Sequence, residues 1–138
     1  MLDKEKYLKR VFKSYKDNKR RLRELSFDEV RAVDYSKTRS TSGAPKGTEE
    51  ALVSYIDEKR KLEKQVDIVE RTLEYYRIEE KSKGLGKANF IHWRYVKGVK
   101  FCRAFMECNV SESTGFYWVR DIMQTAQAIA DIYSLWTE

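Results

Sequence analysis

Apolar residues recur at helical spacing in three long stretches of this chain, with polar breaks between them. Leu8, Val11, Tyr15, Leu22 and Leu25 follow three- and four-residue steps, with Asn18 on the same seam and Tyr7 and Phe12 widening it. That period gathers the apolar side chains on one helix face, so residues 3–25 are expected to form one amphipathic helix. Ser26-Phe27-Asp28-Glu29 has the form of a capping box, in which Ser and Glu satisfy each other's backbone amides. A second, shorter helical piece is therefore expected from Ser26 to about Val33. From Asp34 to Gly47 the period vanishes into small polar residues broken by Gly43, Pro45 and Gly47, the composition of a connector.

Thr48, followed by Glu49 and Glu50, opens the longest element, which is expected to run to about Lys81. Leu52, Tyr55, Lys59, Leu62, Val66, Val69, Leu73 and Tyr76 occupy a and d positions over more than three heptads. A 3.5-residue repeat favours a coiled-coil seam. The first helix carries a seam of similar length, so the two can pair as an antiparallel hairpin or form a bundle with a second subunit. Asn18 and Lys59 interrupt the seams, where polar residues fix register or oligomer state. Lys83-Gly84-Leu85-Gly86-Lys87 ends the helix with a glycine hinge. It lacks the preceding strand and the spacing of a phosphate-binding loop.

Beyond the hinge, the spacing predicts a helix over 88–96, a break at Gly98, a short helix from Val99 to about Glu107, a tight turn, and a long helix from about Glu112. The last places Phe116, Val119, Met123, Ala126, Ile129, Ala130 and Tyr133 on one face. Asn109 sits where the chain reverses and tolerates a left-handed backbone. Ser111 is placed to cap, and Glu112 suits the positive end of the helix dipole. Short helix, turn and longer helix is the layout of a DNA-binding helix-turn-helix. The fold class expected is all-α: a basic helical arm at 1–33, a connector at 34–47, a heptad helix at 48–82 (arm and helix able to form a coiled-coil-like hairpin), and a helix-turn-helix unit at 83–138.

A recognition helix reads base edges with the outward residues near its start. Here those are Ser113, Thr114, Tyr117, Arg120 and Gln124; Arg can bridge guanine, Gln can pair with adenine, and hydroxyls can hold phosphates. Lys97, Lys100 and Arg103, with Arg94 behind them, are the expected phosphate contacts. Two features run the other way. Residues 112–138 contain one basic group against four acids. Ala104-Phe105 places small and large residues one position out of the usual order for such a motif, and Gly115 stands where a β-branched residue is common.

Charge sharpens the choice of partner. Of 138 residues, 41% are apolar and 36% charged, with a net charge of +6. Residues 1–39 hold 13 Lys/Arg and 7 Asp/Glu, so the excess is concentrated in the arm. A polyanion such as double-stranded DNA is one partner this suits, and an ordinary solvated helix face is the alternative that charge alone leaves open. No apolar run reaches the roughly 18 residues of a membrane span, and the first residues lack a signal-type apolar segment, so no membrane partner and a cytoplasmic location are expected. Cys102 and Cys108, six apart, match no zinc or redox spacing and are expected to be buried or half-buried thiols. His92 is the only histidine, so no metal, cofactor or catalytic set is expected. The pair Glu79-Glu80 is expected on a solvated face, and Trp136 near the end is open to a partner.

Arg94-Tyr95-Val96-Lys97-Gly98, then a short helix and Val110-Ser111-Glu112-Ser113-Thr114, resembles the C-terminal half of small phage regulators of late transcription of the ArpU/RinA type. The basic first helix with Tyr7-Leu8, the Ser/Thr-rich connector and the heptad helix extend the likeness over most of the chain. The pattern is also similar to region 4 of sigma factors, which touches promoter DNA and RNA polymerase. The resemblance implies a sequence-specific activator of phage late genes in a bacterial host cell, acting near a promoter with host RNA polymerase. Ser113, Thr114, Tyr117 and Arg120 would face the groove. Two rival readings are a small terminase subunit recognising packaging-site DNA and a helical module binding a host protein. A homodimer through the heptad helix remains open.

Overall fold

The computed structural model describes residues 3–38, 48–80 and 86–137, with side chains described for 3–26, 50–80 and 86–137. The described residues are all-α, in the order α1 (Lys4–Lys13), α2 (Tyr15–Thr38), α3 (Thr48–Glu80), α4 (Lys87–Ile91), a π-helical turn (His92–Val96), α5 (Phe101–Glu107) and α6 (Glu112–Tyr133). No helix among them is long and apolar enough to cross a membrane.

Two boundaries differ from those expected of the first forty residues. Asp3 caps α1, its carboxylate accepting from the Lys6 amide at 3.2 Å. The helix then falters at Ser14 (ψ 0°), whose amide still bonds the Arg10 carbonyl. No second helix begins at Ser26: α2 runs unbroken through the capping-box sequence to Thr38, so residues 34–38 belong to helix and not to the connector. A Ser-x-x-Glu box caps only when the chain enters from outside a helix. Here α3 supplies a partner along the segment, the Tyr55 hydroxyl donating to the Leu25 carbonyl at 2.9 Å, and tertiary packing overrides the local cap. The remaining connector, 39–47, and most of the hinge, 81–85, lie outside the described residues.

The heptad seam of α3 is met from within the chain. Lys19 pairs with Glu70 at 2.7 Å, Asn18 Nδ2 donates to Gln65 Oε1 at 3.1 Å, and Arg21 pairs with Glu58 at 3.0 Å. From Lys19–Glu70 through Arg21–Glu58 to Leu25–Tyr55 the partner on α3 retreats as α2 advances, so the pair is an antiparallel hairpin. Val66, Val69, Leu73 and Tyr76 are buried, whereas Leu52 at the far end is exposed. Asn18 meets Gln65 as a polar pair, which fixes register without leaving an amide unpaired.

One hydrophobic core joins the arm to the C-terminal unit. Leu8 and Phe12 of α1, Ile68 and Val69 of α3, Phe90 and Ile91 of α4, Ala104 of α5, and Ile122, Ala126 and Ala130 of α6 all lose their entire accessible surface. α1 lies across α6: Lys4 reaches Asp131 at 3.5 Å, the Tyr7 and Thr137 hydroxyls hydrogen-bond, and Tyr7 packs on Trp136 at 5.6 Å. Trp136 is thereby used inside the molecule, its Nε1 donating to Asp131 at 2.7 Å. Glu80 also departs from its expected solvated place. It is buried at the end of α3 and accepts from the Lys87 and Ala88 amides at 3.0 and 3.2 Å, clamping the first turn of α4.

Candidate nucleic-acid interface

The junction between α5 and α6 is built locally. Val110 N–H donates to the Phe105 carbonyl and Asn109 N–H to the Met106 carbonyl, both at 3.1 Å. These two bonds and a left-handed Asn109 (φ +54°) form a Schellman stop, which satisfies the last carbonyls of α5 while turning the chain. Ser111 is extended and its hydroxyl accepts from the Thr114 amide at 3.2 Å, starting α6. Both residues perform the roles their types and positions imply.

Close approach of the two helices depends on Gly115. A Cβ there would sit 2.2 Å from the ring of Phe105. Phe105 in turn stacks on Phe90 at 5.5 Å and meets Phe116 edge-on at 5.1 Å, and Phe101 touches Phe116 at 5.6 Å. Ala104, fully buried, is the small residue of α5. The α6 core face is turned slightly from the one its apolar spacing traces. Gly115 and Ile122 enter the core, while Phe116 and Tyr133 remain about half exposed.

All five expected base-reading residues are exposed. Ser113, Tyr117, Arg120 and Gln124 follow steps of four, three and four and so share one outward stripe of α6. Tyr117 is 64% exposed, so it stands clear of the core. Thr114 lies one residue round the helix, its hydroxyl accepting from Ser111 Oγ at 3.0 Å. Two of the three acids of α6 are held at its flanks, Asp121 by Lys87 at 3.3 Å and Asp131 by Lys4 and Trp136, while Glu112 in the first turn is exposed with no ion pair among the described residues. These pairs offset part of the negative balance of the helix and leave the acid at its start in place.

The four expected phosphate contacts fall into two groups. Lys97 and Lys100 are exposed and have no ion pair among the described residues, and Arg103 is exposed beside Glu107 at 3.1 Å, a helix-surface pair of small energetic weight. Arg94 is committed to the fold. Its Nη1 donates to the Val99 carbonyl at 3.0 Å, its guanidinium lies 4.2 Å over the Phe101 ring, and its Nε is buried without a protein partner. Drawing the guanidinium away to a ligand would break the bond to Val99 that braces the turn at Gly98 (φ +79°).

Two neighbours of this surface were not visible in the sequence. Lys16, from the start of α2, lays its stem against Gly98 and brings its ammonium to the Lys97 carbonyl at 3.5 Å. Lys9 of α1 lines a groove of about 530 Å³ between α1 and α6, whose floor is Leu8, Val119 and Met123 and whose rim includes Arg120 and Gln124. These pairings span eighty or more positions of chain, and no local pattern marks them.

The side chains elsewhere offer little chemistry. Cys102 is exposed, contrary to the burial expected of it, and Cys108 is half-buried. Burial, with Glu107 and Glu80 adding to it, pushes the Cys108 thiol up and keeps it protonated at neutral pH. His92 packs against Trp93 at 6.0 Å. Among the described residues no three His, Cys, Asp or Glu side chains are grouped to hold a metal. Comparison with protein-family models, curated proteins and solved structures finds no match to this chain.

Proposed function

We propose that the chain is a double-stranded DNA-binding transcriptional regulator that inserts the start of α6 into the major groove. The observation that carries this reading is the outward stripe Ser113, Tyr117, Arg120 and Gln124. It is solvent-facing on a helix whose opposite face is locked into the core, and it is aimed by the Asn109–Ser111 turn. α5 and α6 are then read as a helix-turn-helix, with Arg120 on a guanine edge and Tyr117 and Ser113 at the groove wall. Lys97, Lys100 and Arg103 hold the backbone. The likeness to late-transcription regulators adds the finer proposal that the target lies near a phage promoter and that the protein activates with host RNA polymerase.

A titration of labelled duplexes between 50 and 200 mM salt tests the reading. Log affinity should fall with log salt by about 0.9 per phosphate neutralised. With fragments of the source genome, Arg120→Ala should relax sequence preference, while Lys100→Ala should weaken every duplex alike. Equal losses on all duplexes from Arg120→Ala would remove Arg120 from base reading. Salt-insensitive binding would remove DNA altogether.

A second reading, a helical module that binds a host protein, is favoured by one observation. Ile78 and Ile132 are 67% and 73% exposed, and Tyr75 and Tyr133 about half exposed, on α3 and α6. Capture of a protein partner that survives Arg120→Ala but is lost on Ile132→Asp would support it.

A further inference from the structure

We propose that the edge of α1 and α2 carrying Lys9, Lys13 and Lys16 forms a second wall beside α6, gripping the phosphate backbone of a duplex that α6 reads. The inference rests on the DNA-binding reading of α6 and adds to it the strand-holding surface and the side on which the duplex lies.

Steps of four and three place Lys9, Lys13 and Lys16 along one edge, and the faltering of the helix at Ser14 is slight enough to keep them in line. All three are exposed. The edge covers about 10 Å at 1.5 Å per residue, which matches the rise of about three nucleotides of one strand at 3.4 Å each. Both ends of the edge meet the α5–α6 surface. Lys9 lines the groove that Arg120 and Gln124 also line. Lys16 ends at the Lys97 carbonyl, three residues before Lys100. The lysines therefore continue one basic rim from the outward stripe of α6 round to the start of α5.

Exposed cations with no ion pair among the described residues, such as Arg23, Lys61 and Lys64, occur elsewhere, so position beside α5 and α6 is what separates this edge from an ordinary solvated helix face. The next three cations along the chain are each neutralised: Lys19 by Glu70, Arg20 by Asp17, and Arg21 by Glu58 and Glu24. On the rim itself Lys9 is paired with Glu5 at 3.2 Å, whereas Lys13, Lys16, Lys97 and Lys100 have no ion pair among the described residues. Like charges gathered without counter-charge repel one another and are relieved by a polyanion. The opposite flank of α6 carries the neutral Lys87–Asp121 pair, so the grip is one-sided.

The test combines Lys9→Gln, Lys13→Gln and Lys16→Gln in the full chain and measures affinity for a random 20-base-pair duplex across salt. Glutamine keeps the stem and the helix preference, and unchanged circular dichroism and melting establish that the fold is intact. The control combines Arg23→Gln, Lys61→Gln and Lys64→Gln, three exposed cations of the α2–α3 hairpin that do not line the groove. The slope of log affinity against log salt should fall by about 2 to 3 in the triple variant, at 0.9 per phosphate contact, and change little in the control. A wild-type slope in the triple variant overturns the second wall while leaving α6 binding in place. Equal slope changes in triple variant and control overturn it too, because net charge alone would then account for both. Absence of duplex binding by the wild-type chain overturns both readings together.

Discussion

Gly115→Ala is the sharpest test of how α5 and α6 are joined. On an exposed helix this substitution stabilises by about 1 kcal/mol, because alanine loses less backbone freedom than glycine. Here the new Cβ would lie 2.2, 2.3 and 2.7 Å from three atoms of the Phe105 ring. Carbon atoms in contact sit about 3.5 to 4.0 Å apart, so the ring must retreat by more than about 1 Å. It has nowhere to go, being 4% exposed, stacked on Phe90 and edge-on to Phe116. Overpacking of this kind costs about 1 to 3 kcal/mol and, with a rigid buried ring as the obstacle, the upper part of that range applies. After the gain in helix preference is set against it, a net loss of about 2 kcal/mol is expected, read as a lower urea midpoint at unchanged slope. Phe105→Leu should destabilise by itself through the space it leaves. Combined with Gly115→Ala, it should cost less than the sum of the two by at least about 1 kcal/mol, because each change makes room for the other. A raised midpoint for Gly115→Ala, or simple additivity in the double variant, would refute the close approach.

Three further outcomes follow from single contacts. Asn109→Gly should leave stability unchanged or slightly raised, whereas Asn109→Val should cost about 1 to 2 kcal/mol in the same urea assay, since a β-branched residue strains the left-handed backbone. Glu80→Ala strips two half-buried amides of their acceptor and should cost about 1 to 3 kcal/mol, with faster hydrogen exchange at Lys87 and Ala88. Tyr76 and Tyr95 are both pushed up to about 12 by burial. A folded state that holds these protons more tightly than the unfolded chain keeps their contribution below pH 10 and loses it as pH rises from 10 to 12. Melting temperature should therefore be flat up to about pH 10 and fall beyond it, and less steeply in Tyr76→Phe, which has no phenolic proton to lose.

What the residues settle by themselves is whatever depends on neighbours three to five positions away. The apolar period marks α3 and α6, and the bonds of Asn109 and Ser111 join them to atoms within five residues, so the turn between α5 and α6 is legible from the chain. The same local logic misplaces the capping box at Ser26, because a helix already formed against α3 has no use for it. Only the tertiary structure decides which face meets which. It turns the α3 seam towards α2 of the same chain, draws Glu80 inward to clamp α4, and ties Arg94 to the Val99 carbonyl. It also sets α1 beside α6, bringing Lys9 and Lys16 to a surface encoded more than eighty residues later. The physical reason is range: helix periodicity and caps are fixed by bonds that close over one turn, whereas the lysine rim exists only because burial of Leu8 and Phe12 brings distant segments onto one core.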